Sequence, residues 1–301
     1  MEVSVIIPMY NREKYIIQCI QSALDQPEVK EVIVVDDGST DDSQEIVNKM
    51  SASHPRIKMF QHRSCVRKGI SESRNLGISK ATKKYVAFLD SDDFYLPHRF
   101  ELDSQQFEKH PDADGIYSNV ENFPDPEGVS KSLAKKVQQD FPNLSNLFIP
   151  PESLLKILML RRQGYIHLNG LVIKRSELSK DFLFDIDLEQ AEDTDFIIRL
   201  AARKRMYSNM SERVVAQRRY HSQNMIRDRK HAALNVYKMY KKWIKQKFFH
   251  VDCYWCRVRI SYRYIKLHAK LIMGMKRLMF VRLFCIYYFP VFLIKEYKSF
   301  L

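Results

Sequence analysis

Several features that would assign a chain to a class at once are missing here. The five cysteines, Cys19, Cys65, Cys253, Cys256 and Cys285, are odd in number and irregularly spaced, which does not fit the disulfide framework of a small secreted domain. Cys253 and Cys256 form one CxxC with no second pair, which falls short of a structural zinc site. There is no GxGxxG, which excludes the dinucleotide-dependent dehydrogenases. Nor is there a glycine-rich phosphate loop with a basic residue near the start. No repeat at solenoid spacing and no long low-complexity tract interrupts the chain. The opening residues, Met1 to Pro8, carry no basic leader, long apolar core or small-residue cleavage site. They read as the first strand of a cytoplasmic protein.

What is present is globular in proportion. The chain has 301 residues, 45% hydrophobic and 28% charged, enough for one large α/β domain and an appendage. The net charge of +13 is held unevenly. Residues 231–301 contain fifteen Lys/Arg against two acids, Asp252 and Glu296, whereas residues 1–230 hold 34 of each sign. The basic part is therefore a separate device from the balanced part. It interleaves lysine and arginine with aromatic and aliphatic residues, as in Lys241-Lys242-Trp243-Ile244-Lys245, a pattern that fits an anionic membrane surface. Helices packed on the core with a solvated basic face are the plainer reading. No nucleic-acid-reading motif accompanies it, so nucleic acid is not an expected partner. The most apolar stretch, 278–294, is interrupted by Arg282 and Pro290 and sits at the lower length limit for a bilayer span.

Hydrophobic periodicity divides the first half into alternating strands and helices. Strands are expected at 3–8, 32–35, 57–62 and 85–89, and helices at 13–26, from Thr40 or Asp41 through Met50, and at 70–81. Such alternation implies βαβ units and a parallel sheet, with ligands beyond the carboxyl ends of its strands. Later come a helix at 99–109, a strand at 115–120, an insertion at 124–151, a helix at 154–162, a strand at 171–175, a helix at 192–203 and a last core strand at 214–219.

Three acidic constellations carry the chemistry. Asp90-Ser91-Asp92-Asp93 places three carboxylates in four positions at a strand mouth, a crowding that a hard cation such as Mg²⁺ or Mn²⁺ would relieve. A solvated turn capping the next helix is the alternative. Asp36-Asp37-Gly38-Ser39 ends the second strand; its acids suit ribose or base, and its composition also suits an ordinary turn. Glu192-Asp193 opens a helix, where a carboxylate is either a catalytic group or a cap favoured by the helix dipole.

Taken in order, Ser4-Val5-Ile6-Ile7-Pro8-Met9-Tyr10-Asn11, Val34-Val35-Asp36-Asp37-Gly38-Ser39, Ser73-Arg74-Asn75-Leu76-Gly77, Leu89-Asp90-Ser91-Asp92-Asp93, Glu192-Asp193-Thr194-Asp195 and Tyr220-His221-Ser222-Gln223-Asn224 closely resemble the family 2 glycosyltransferases of the GT-A fold. The resemblance covers about residues 1–225. It implies a Rossmann-like, mostly parallel sheet flanked by helices, divided into a nucleotide-binding half (1–95) and an acceptor-side half (96–225), with 226–301 as a basic helical extension. It also implies that Pro8, Tyr10 and Glu13 line the nucleotide end, that Asp37 with Asp36 holds base or ribose, and that Arg74 approaches the nucleotide or diphosphate. Asp90, Ser91 and Asp92 form the DxD motif, Asp92 as metal ligand and Asp90 at the ribose or the metal, with His221 as a further metal or diphosphate ligand. Asp193 is the implied base and Glu192 its orienting partner.

The implied activity is an inverting, Mn²⁺- or Mg²⁺-dependent transfer from a nucleotide-sugar, commonly a UDP-sugar, to a glycan or lipid-linked hydroxyl in surface polysaccharide synthesis. It would take place on the inner face of the cell membrane. A nucleotidyltransferase, or an inactive sugar-binding or scaffold protein, remains as an alternative.

Overall fold

The computed structural model describes residues 1–63, 66–125, 144–160, 164–220, 229–245, 260, 263, 264 and 267. The chain divides into two compact units, Met1–Asn224 and Met225–Leu301.

The first unit is built on β1 (Val3–Met9), whose seven residues are all buried. It lies between β2 (Val29–Asp36) and β4 (Tyr85–Phe88), parallel to both, so both its faces and both its edges are covered. That is why it reads as a continuous apolar run rather than an alternating one. Outside β2 lies β3 (Ile57–Gln61), also parallel. The connecting helices are α1 (Ile16–Leu24), α2 (Ser43–Ser53) and α3 (Ile70–Lys80). Helix α1 buries Ile16, Cys19, Ile20, Ala23 and Leu24, the i, i+3, i+4 stripe of a helix against a core. Helix α3 is different, for its buried residues are Ser71, Ser73, Arg74, Gly77 and Ile78. It can lie close to β1 because Gly77 has no side chain to collide with Ile6.

Two very short strands went unpredicted: β5 (Phe94–Tyr95) and β9 (Met206–Ser208) are too brief to show a period. After helix α4 (Glu101–Lys109), the stretch expected to be one strand at 115–120 breaks at Ser118 into β6 (Gly115–Tyr117) and β7 (Asn119–Pro124). The break has a local cause. The Ser118 hydroxyl donates to Asp103 Oδ1 (2.6 Å) and its amide to the Gly170 carbonyl (2.9 Å), which takes that residue out of the ladder. Helix α5 (Pro151–Leu160) precedes β8 (Leu171–Lys174), and α6 (Glu192–Arg203) precedes β9 and β10 (Val214–Tyr220).

The large sheet has seven strands in the order β3-β2-β1-β4-β8-β6-β9. It is parallel except at β8, which runs antiparallel to both β4 and β6. Strand β10 lies outside the large sheet, contrary to expectation. It joins β5 and β7 in a three-stranded sheet of order β5-β10-β7. Strands β1, β2 and β4 all end at one edge, which sets Tyr10, Asp36, Asp37 and Asp90 along a single rim.

In the second unit the described helix is α7 (Arg229–Lys245). Tyr237 stacks on Tyr264 with ring centroids 5.2 Å apart, and Tyr240 meets Trp243 edge to face at 5.3 Å. Among the described residues no helix is long and apolar enough to cross a membrane. The 278–294 stretch, Cys253 and Cys256 lie outside the described residues, as do His221, most of the 124–151 insertion and all of residues 268–301.

Candidate active site

The acid loop after β4 sorts its three aspartates by what already holds them. Asp93 is only 3% exposed, and both its oxygens are engaged: Oδ1 accepts from the Arg219 amide (2.7 Å) and Oδ2 from Asn169 Nδ2 (2.6 Å). Burial, with Asp92 and Asp90 beside it, pushes its carboxyl well above the usual range. Asp90 and Asp92 are more open, with side chains 26% and 14% exposed. Asp90 Oδ1 accepts from Arg74 Nη2 at 2.7 Å. Asp92 Oδ2 lies 3.4 Å from Arg12 Nε. Ser91 between them is buried.

Arg74 is the centre of the arrangement. Its side chain is 3% exposed, and while one end holds Asp90 the other donates to Glu192 Oε1 at 2.8 Å. The Phe184 ring lies 5.1 Å from the guanidinium. Desolvation alone would lower its affinity for the proton, but the two carboxylates outweigh that and hold it above its ordinary value. Glu192 shifts the other way. Burial and neighbouring Asp193 push it up to about 7, with Arg74 pulling against them. Glu192 and Asp193 open α6 directly after Ala191, whose φ of 69° is left-handed. Asp193 stays half-buried, its Oδ1 accepting from the Thr194 amide at 2.6 Å.

The residues expected at the nucleotide end occupy the same rim, but several are committed to the fold itself. Pro8 is buried in β1 opposite Val35. Tyr10 is covered by the Arg67 guanidinium, 4.2 Å from the ring centroid. Asp36 accepts from the Gly38 and Ser39 amides (both 3.2 Å at the shortest) and from Gln44 Nε2 (2.9 Å), so its carboxylate organises its own turn. Asp37 accepts from the amides of Lys68 (2.6 Å) and Gly69 (2.9 Å) and lies 3.6 Å from His62. It thus fixes the loop that leads into α3. Glu13 is exposed and accepts from the Asp42 amide at 3.2 Å. The β1–α1 and β2–α2 loops are laced together by Asn11 and Thr40, whose amide donates to Asn11 Oδ1 at 2.8 Å.

Four groups escaped sequence reasoning. Arg219 donates through Nε to the Asp92 carbonyl (3.0 Å) and through Nη2 to Gln18 Oε1 (2.5 Å), among the rings of Tyr15, Phe94 and Phe123. Arg218, the next residue back on β10, bonds Tyr165 instead. Burial and the Arg218 charge push His167 down to about 4, so its imidazole is neutral. Asn169 touches both ends of the acid loop. None was singled out from the sequence, since each lies far along the chain from the acid loop. Strand alternation on β10 is the one clue that could have separated Arg218 from Arg219.

The donor set fits a hard divalent cation. Asp90, Asp93 and His167 each offer an atom within 4.8 Å of the others, but both oxygens of Asp93 are taken, and His167 Nδ1 accepts the Asn169 amide at 3.2 Å. Asp90, whose Oδ2 lies outside its bond to Arg74, is the most open of the three aspartates, and Asp92 is more open than Asp93.

The mostly parallel sheet flanked by helices is that of the GT-A fold. The chain superposes on the crystal structure of Staphylococcus aureus TarS 1-349 in complex with UDP-GlcNAc with a TM-score of 0.61, at 21% identity, over 90% of this chain and 73% of that one. It also matches the mannosyltransferase PcManGT from Pyrobaculum calidifontis in complex with GDP-Man and Mn²⁺, with a TM-score of 0.57 at 18% identity, over 99% of this chain and 82% of that one. Residues 4–155 match the family model for glycosyl transferase family 2, and the chain belongs to that family. Chondroitin synthase of Escherichia coli is 39% identical over 122 residues, 40% of this chain and 17% of that protein. The chain spans well under half the length of the curated relatives it matches, from 15% to 41% among three of the most similar.

Proposed function

We propose that the protein is a metal-dependent, inverting glycosyltransferase. It would move a sugar from a nucleotide-sugar, a UDP-sugar first among candidates, to a hydroxyl of a glycan or lipid-linked acceptor in surface polysaccharide synthesis. The observation that carries this reading is the span of Arg74 from Asp90 to Glu192. One buried guanidinium joins the acid loop to the first turn of α6, which supports reading the two as parts of one site. The chondroitin synthase relative and the nucleotide-sugars held by the structural neighbours support the substrate class.

In this reading Asp90 and Asp92 hold the cation. A bound divalent ion supplies positive charge where the departing diphosphate becomes more negative. The laced β1–α1 and β2–α2 loops border the nucleotide, with Tyr10 under Arg67. Asp193 takes the proton from the acceptor hydroxyl as that oxygen attacks the anomeric carbon opposite the leaving group, which inverts the centre. Glu192 is poorly suited to that task because it is buried and bonded to Arg74; it orients the helix end beside the base. The excess charge of residues 231–301 supports docking on the anionic inner face of the membrane, next to a lipid-linked acceptor.

Asp193→Asn is expected to lower kcat by about 10²-fold or more while nucleotide-sugar affinity persists. The assay is release of nucleoside diphosphate in the presence of acceptor. Near-normal turnover in the variant removes Asp193 from the role, and release of pyrophosphate by the wild type would make the protein a nucleotidyltransferase instead.

A further inference from the structure

We infer that Asn169 is a positioning residue that sets the shape of the Asp90–Asp93 loop, and through it the affinity for a nucleotide with its cation. The inference rests on the transferase reading for its ligand, but on the side-chain geometry for its residue.

Three carboxylates within four residues repel one another, so the loop needs a partner that fixes which of them turn outward. It closes on itself through the Asp93 amide, which donates to the Asp90 carbonyl at 2.9 Å. Asn169 grips the two ends of that turn. Its Oδ1 accepts from the Asp90 amide at 3.2 Å and its Nδ2 donates to Asp93 Oδ2 at 2.6 Å. A carboxamide carries an acceptor and a donor side by side at this length and adds no charge to the loop. An aspartate would present a second carboxylate to Asp93, and an aliphatic residue would leave two buried polar groups unpaired. Holding Asp93 inward leaves Asp90 and Asp92 as the more open two of the three.

Asn169 is itself rigidly held. It is fully buried in the short 3₁₀ turn Leu168–Gly170, and its carbonyl accepts from Arg99 Nε at 3.1 Å. Arg99 forms a fully buried pair with Asp103 (2.5 Å), and Asp103 Oδ1 accepts from the Ser118 hydroxyl (2.6 Å). A continuous polar frame therefore runs from α4 through Asn169 to the acid loop. Such supporting bonds fix the orientation of groups that touch the ligand without touching it themselves.

The test uses the full chain and the variants Asn169→Ala, Asn169→Asp and the milder Asn169→Ser. Two readouts are taken: amide hydrogen exchange over residues 89–94, and calorimetric affinity for Mn²⁺ with whichever of UDP, GDP or dTDP the wild type binds. Asn169→Ala should speed exchange of the Asp90 and Asp93 amides and weaken nucleotide–Mn²⁺ binding by about tenfold or more, with β1 and β4 as protected as in the wild type. Asn169→Asp keeps an acceptor for the Asp90 amide, so it should retain more protection there than Asn169→Ala and still lose affinity. Should Asn169→Ala fail to fold, Asn169→Ser must show the same local pattern. Wild-type exchange and affinity in the variants overturn the inference, as does a loss of protection spread evenly through β1 and β4. A wild type that binds none of the three nucleotides with Mn²⁺ overturns the transferase reading, while the exchange result still decides the role of Asn169 in the loop.

Discussion

Arg74 shows why one residue type is required at a buried junction. A guanidinium can bond two carboxylates through different nitrogens at once, whereas a lysine ammonium is a point charge on a flexible stem. The burial of Glu192 at that junction gives the protein a pH signature. Its folded-state value of about 7 lies above the ordinary 4.5, so the folded protein holds this proton more tightly than the unfolded chain does. Stability contributed by the bound proton is complete below about 4.5 and is lost as pH rises toward 7, then levels off. Urea denaturation of the wild type between pH 5 and 8 should show a decline on the order of 1–3 kcal/mol from this group. Glu192→Gln, which still offers Arg74 an acceptor, should flatten it; an unchanged slope in the variant would assign the decline elsewhere. At this scale the sequence named residues better than it named roles. Arg74, Asp90 and Glu192 are visible from their motifs, and the structure places the three in direct contact. Their burial is not visible, because it depends on α3 and α6 meeting 118 residues apart. Asp36 bonds the amides of Gly38 and Ser39, the ordinary turn chemistry that the sequence equally offered, whereas Asp37 bonds the amides of Lys68 and Gly69, 31 and 32 residues further along, which no local pattern announces.

Among the elements, those with long periodic patterns were legible and those set by tertiary contact were not. Strands β1 and β2 and helices α1 and α6 follow from apolar runs or 3.6-residue spacing. The reversed direction of β8 leaves no trace in its four residues, since a buried strand has the same composition whichever way it runs. The split of β6 from β7 comes from side-chain bonds of Ser118 to residues distant in the chain. Beside that split lies Gly170, where an added Cβ would run into the Ser118 carbonyl oxygen and press on Val120 at 3.0 Å. The obstruction is backbone, so it cannot rotate away. Gly170→Ala should therefore lower the melting temperature by several degrees, as expected for about 1–3 kcal/mol of overpacking, and reduce nucleotide affinity through the neighbouring Asn169. Calorimetric melting checks the first effect, and an unaltered midpoint would show that the turn has room to shift.

For the whole molecule, the charge is arranged in two regions, a balanced one over residues 1–230 and a basic one over residues 231–301. Sedimentation with vesicles containing anionic lipid should pellet the 301-residue chain at low ionic strength and release it as salt shortens the screening length from about 10 Å at 0.1 M to about 3 Å at 1 M. Retention at 1 M salt would point to apolar insertion, and no pelleting at low salt would remove the membrane role. The composition made this division plain, because it needs only counting; the clasp at Arg219 was invisible, because it depends on where the chain returns. That clasp bonds Gln18, next to the start of the fold, to a side chain 201 residues later, and the same residue's amide holds Asp93. A chain emerging from the ribosome makes α1 and the acid loop long before β10 exists to secure them. The acid loop therefore acquires its final shape late in synthesis, and a nascent chain ending before β10 would carry every strand of the large sheet while Asp93 still lacked the Arg219 amide.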